Sequence, residues 1–114
     1  MKREELELKY DYVCDFHEGL AVVELNNKFG YINKEGKEII KLKYDDAFDF
    51  YEGLAKVRLN GKWGFINKEG KEITKLKYDD ASDFYEGLAK VRLNNKYGYI
   101  NKQGKEITKL KYDI

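Results

Sequence analysis

A 34-residue period constrains this chain more than any other feature, because near-identical units must find near-identical folds. Residues 43–76 and 77–110 differ at five of thirty-four positions, and residues 9–42 differ from 43–76 at ten. Leu6 to Asp11 (LELKYD) echoes Thr74 to Asp79 (TKLKYD), and Lys111-Tyr112-Asp113 opens a fourth copy. The chain reads as one β-repeat domain over residues 1–114. Its units are 9–42, 43–76 and 77–110, with partial repeats at 1–8 and 111–114. Such a pattern fits a window on a longer array, or a recently duplicated or designed one.

Inside each unit the strongest local signal is a hairpin. Asn60-Gly61 tolerates positive φ at both central positions of a type I′ turn, whose twist suits antiparallel strands. That turn sets a register: Leu59 faces Lys62, Arg58 faces Trp63, Val57 faces Gly64, Lys56 faces Phe65 and Ala55 faces Ile66. Alternation then divides the residues between two faces. Ala55, Val57, Leu59 and Ile66 make the core candidate, with Gly64 leaving room for close packing. Lys56, Arg58, Trp63 and Phe65 make a half-wet stripe of cations across from rings. The third unit repeats it with Lys90, Arg92, Tyr97 and Tyr99, whereas the first places Glu24 opposite Phe29 and Val22 opposite Tyr31.

Glycine punctuates the rest. Phe50-Tyr51-Glu52-Gly53-Leu54 and Asn67-Lys68-Glu69-Gly70-Lys71 both read as type I turns closed by a left-handed glycine. The strands between them are expected at Asp46–Phe50, Leu54–Asn60, Lys62–Asn67 and Lys71–Leu76. Opposite parity at Ile73 and Leu76 implies a bend or bulge between them. No segment carries helical periodicity with start and stop signals.

These residues, from Glu52-Gly53-Leu54-Ala55-Lys56-Val57 through Gly61-Lys62-Trp63-Gly64-Phe65-Ile66-Asn67-Lys68-Glu69-Gly70-Lys71-Glu72-Ile73, closely resemble the bacterial WG (or KWG) repeat. The resemblance covers nearly the whole chain. Phe29 and Tyr97 stand where the family's tryptophan is kept as Trp63. Lys41, Lys75 and Lys109 stand where the family usually has proline. Lysine restores a backbone donor there, so these strands are expected to run on or pair elsewhere. The resemblance implies an all-β repeat module, often attached to other domains, with no agreed catalytic activity.

Composition narrows the function classes. Charged residues reach 38% but nearly cancel, 22 basic against 21 acidic, so no long-range field selects nucleic acid or anionic lipid. No run is apolar enough to span a membrane, and the basic start has no apolar stretch behind it. The single cysteine, Cys14, points weakly to a cytoplasmic, reducing setting, with a processed extracellular fragment as the open alternative.

Chemical constellations are few. Cys14 and His17 form C-x-x-H, but a structural zinc needs four ligands and no other Cys or His exists. The repeat alignment explains both residues: Cys14 replaces Phe48 and Ser82, and His17 replaces Tyr51 and Tyr85. Asp45, Asp46 and Asp49, repeated at Asp79, Asp80 and Asp83, lack the glycine and distal glutamate of a calcium loop, and read as turn residues bonding local amides. No cofactor is expected.

The fold expected is all-β, with three tandem units of short antiparallel strands and hairpins stacked into an elongated, twisted array around one continuous core. The alternative is a closed pseudo-threefold ring or barrel. The function expected is a non-catalytic module for protein interaction or structural scaffolding, since near-identical units spread residues evenly and catalysis needs one unlike constellation. Carbohydrate or cell-wall polymer binding through the aromatic and basic stripe is the alternative. Partners are a protein or another copy, the latter through the duplicated LKYD ends.

Overall fold

Hairpins with two-residue turns leave antiparallel pairing as the only local solution, and every pairing is antiparallel. The computed structural model describes Glu5 and residues 9–108. The first sheet holds β1 (Tyr12–Val13), β2 (Leu20–Leu25), β3 (Lys28–Asn33) and β4 (Glu38–Tyr44) in that order. The second holds β5 (Asp46–Ala47), β6 (Leu54–Leu59) and β7 (Lys62–Asn67), and the third β8 (Asp80–Ala81), β9 (Leu88–Leu93) and β10 (Lys96–Asn101). The register of β6 on β7 is the one the turn dictates, from Leu59↔Lys62 to Ala55↔Ile66, and β2–β3 and β9–β10 repeat it. Asn60 (φ 55°) and Gly61 (φ 79°) both occupy the left-handed region that a type I′ turn requires.

The Glu-Gly turn differs from expectation. Glu52 (φ 53°) and Gly53 (φ 81°) are both left-handed, and Tyr51 and Leu54 exchange backbone hydrogen bonds across them. This is a second two-residue turn, not a three-residue loop. A glutamate held at positive φ signals a compensating contact elsewhere. The Asn67–Lys71 loop does close as expected: the Asn67 side chain accepts from the amides of Glu69 and Lys71, and Gly70 donates to the Asn67 carbonyl.

The sheets stack face to face along a long axis, giving a particle of 47 × 25 × 21 Å and no closed barrel. Stacking replaces the expected continuous core with three clusters, two of them seams between sheets. Outward-facing Leu20, Val22, Tyr31 and Ile40 of the first sheet meet inward-facing Ala47, Phe50, Ala55, Val57 and Ile66 of the second. Leu54 and Phe65 meet Ala81, Phe84, Ala89, Val91 and Ile100 in the same way. Tyr10, Val13, Ala21, Val23 and Ile32 form the third cluster. Period-2 alternation sends apolar groups to both faces of each sheet, so the sheets themselves partition the core.

The segment after the second hairpin is where the units diverge. In the first unit β4 runs through Lys41 to Tyr44, with register shifts against β3 on either side of Tyr31. In the second, the matching residues form only isolated bridges, Ile66↔Glu72 and Trp63↔Tyr78. One substitution accounts for this. Ile40 pairs with Tyr31 in the ladder, whereas Thr74 places its hydroxyl against the Phe65 amide (3.2 Å) and takes the donor that a strand neighbour would use. Thr108 does the same to Tyr99. Lysine in place of proline therefore lets the strand continue only where isoleucine precedes it. Lys109 lies outside the described residues.

Candidate functional site

The stripe forms with the expected pairing, but its second-unit half is not an open face. The Lys56 ammonium lies over the rings of Phe48 (4.5 Å) and Trp63 (5.3 Å), and the Arg58 guanidinium 5.8 Å from Trp63. Directly opposite Lys56, Phe65 is fully buried and packs edge-on against Phe84 at 4.8 Å, so it cannot serve the binding role assigned to it. The Lys56 ammonium donates to the Ala81 carbonyl in the next unit (3.1 Å), and Phe48 packs edge-on against Trp63. The half-wet description holds for Lys56, Arg58 and Trp63 and fails for Phe65. Neighbouring residues in the same strand could not reveal this, because the covering sheet lies about 34 residues further along the chain.

The third-unit half is open. Tyr99 is 39% exposed where Phe65 is wholly covered, and Leu88 is 37% exposed where Leu54 is 6%. Lys90 lies 5.0 Å from the Tyr97 ring. Lys90, Arg92 and Tyr97, with Asp80 and Ser82, line a groove of about 160 Å³.

A polar system that the stripe argument missed joins the units on another side. The Glu18 carboxylate accepts from the amides of Glu52 (2.8 Å) and Gly53 (3.0 Å), and Glu52 accepts from Glu86 (2.6 Å) and Gly87 (2.8 Å). Lys68 approaches Glu18 at 3.4 Å and Lys102 approaches Glu52 at 4.0 Å. Partial burial works against the Glu18 charge, yet the Gly53 and Glu52 amides and Lys68 hold its carboxyl below the usual glutamate range. This ladder engages both amides of the left-handed Glu52-Gly53 and Glu86-Gly87 turns. Its sequence signal was a glutamate recurring before glycine in every unit.

Aspartates form a second link. Asp45 accepts from the Asn60 amide (2.8 Å) and from Lys28 of the preceding unit (2.7 Å); Asp79 repeats this with Asn94 (2.9 Å) and Lys62 (2.5 Å). Lysine bonding lowers both carboxyls, with the amides adding to it. Only Asp46 and Asp80 make the expected local bonds, to the amides of Ala47 and Ala81. Asp83 is different: burial raises its carboxyl, Lys56 opposes this and Asp49 adds to it. The His17 Nδ1–H donates to the Phe50 carbonyl (2.6 Å), and its ring tilts onto Tyr51. No group of three His, Cys, Asp or Glu that could hold a metal gathers among the described residues. No helix among them is long and apolar enough to cross a membrane.

The first LKYD copy acts within the chain: Tyr10 is buried and Asp11 accepts from the Asn26 amide. The second, at 110–113, lies outside the described residues. A family profile described as WG containing repeat matches residues 3–29, 29–63, 63–97 and 97–113, with the same period and a phase running from ring to ring. No curated protein and no solved structure matches the chain.

Proposed function

The chain belongs to the WG repeat family, and from that premise we propose that it is a non-catalytic scaffold, a stiff spacer that holds protein partners at set separations. One observation carries the reading. The polar residues that recur every 34 residues, Glu18 and Glu52, Asp45 and Asp79, are engaged in joining one unit to the next, which suits a load-transmitting array and leaves them unavailable for chemistry. Bacterial origin and a reducing cytoplasm complete the proposal, on the family resemblance and the lone Cys14.

Spin labels at Lys34→Cys and Lys105→Cys in a Cys14→Ser background test stiffness. A narrow distance distribution is expected, and a broad one would refute the spacer. The second reading, carbohydrate or cell-wall polymer binding, is favoured by the groove that sets Tyr97 beside Arg92, Lys90, Asp80 and Ser82. Glycans that shift the amide resonances of these residues, and lose that effect in Tyr97→Ala, would replace the scaffold reading. Trp63 is a poor reporter for such a titration, being packed between Phe48 and the Lys56 ammonium.

A further inference from the structure

Three groups that join one unit to the next in this molecule recur on the outer face of the third unit, as Glu86, Tyr99 and Lys90, without the inter-unit bonds their counterparts make among the described residues. Glu18 and Glu52 each accept two turn amides from the following unit, whereas the Glu86 carboxylate is exposed and has no partner among the described residues. Tyr31 donates its hydroxyl across the first seam to the Phe48 carbonyl (2.6 Å), whereas the Tyr99 hydroxyl has no acceptor among the described residues. Lys56 donates across the second seam to the Ala81 carbonyl; the Lys90 ammonium lies against the Tyr97 ring and has no hydrogen-bond acceptor among the described residues. Leu88 and Tyr99 expose the apolar surface that Leu54 and Phe65 bury.

Resting on the scaffold reading, we propose that this outer face docks one more unit of the same repeat, Glu86 receiving the two amides of the incoming Glu-Gly turn. Three features specify the occupant's chemistry. It offers two consecutive backbone amides in a left-handed turn, carbonyls within reach of Tyr99 and Lys90, and an apolar Tyr, Ala and Phe set like Tyr78, Ala81 and Phe84. Continuity with the two seams already formed selects this occupant. A second copy docked head to tail is disfavoured, because the matching inward residues of the first unit, Tyr10, Val13, Ala21, Val23 and Ile32, are already covered.

The test is an extended chain in which a copy of residues 80–110 follows Asp113. Amides of the appended Glu-Gly turn are expected to exchange about tenfold or more slowly than in the free peptide. Glu86→Gln is expected to remove that protection and lower the extended chain's unfolding midpoint. The same change is expected to leave the midpoint of the 114-residue chain unaltered. An unprotected appended unit overturns the proposal, as does a Glu86→Gln effect equal in both chains. A 114-residue chain that dimerises through this face, with dimerisation abolished by Tyr99→Lys, overturns it in favour of a second copy. Narrow spin-label distances combined with an unprotected appended unit would retain the spacer and discard only this docking face.

Discussion

Gly30 and Gly64 occupy the same position in successive units, and their substitution by alanine separates a laddered strand from a broken one. A Cβ on Gly30 would lie 2.5 Å from the Ile40 carbonyl oxygen, 2.8 Å from the Lys41 carbonyl carbon and 2.9 Å from the Leu42 nitrogen. All three are backbone atoms beside or within the segment that pairs with β3, so relief requires moving β4. A Cβ on Gly64 would meet Leu76 Cα at 3.0 Å, the Lys75 oxygen at 3.0 Å and Leu76 Cγ at 3.1 Å, in a segment held only by isolated bridges. Overpacking costs about 1–3 kcal/mol, and replacing glycine returns about 0.5–1 kcal/mol through the unfolded chain. Gly30→Ala should therefore cost about 2 kcal/mol net, and Gly64→Ala about 0–1. Urea denaturation with unchanged m-value measures both. Thr74→Ile should draw residues 72–78 into a continuous strand, and Gly64→Ala in that background should then approach the Gly30 cost, a coupling readable in a double-mutant cycle. Equal costs for the two single variants would refute the reasoning.

The seams make further predictions. Phe65→Ala should cost about 3–5 kcal/mol and Tyr99→Ala under about 1, by urea denaturation, because one ring is enclosed and the other open. The carboxyls of Glu18, Asp45 and Asp79 are held below their ordinary values of 4.5, 3.8 and 3.8. Their stabilisation is present above those values and lost as pH falls through the lowered ones, so the thermal midpoint should drop on acidification below about pH 4.5, and less steeply in Glu18→Gln. Asp83 runs the other way. Its raised carboxyl penalises folding above its folded value, so Asp83→Asn should raise the midpoint at pH 7, with the gain fading as pH falls toward 3.8.

The hairpin was legible in the residues themselves: Asn60-Gly61 set the turn, the turn set the register, and alternation set which residues share a face. The candidate stripe was legible in the same way, down to Arg92 opposite Tyr97. These are local relations, carried by a few neighbouring dihedrals and by period-2 geometry. Which face was wet was not local. Phe65 and Tyr99 sit in near-identical contexts, and only the presence of another sheet above the first makes it core while the second stays open. The Glu18 ladder was likewise hidden, because its donors lie 34 and 35 residues away and a positive φ at Glu52 has no signature in composition. The sequence by itself determined the repeat, the two long hairpin strands of each unit, their register and the family, while the expected strands at Asp46–Phe50 and Lys71–Leu76 shrank to Asp46–Ala47 and to isolated bridges. Tertiary stacking decided the fate of each face, since burial depends on what covers a surface and covering is a relation between units.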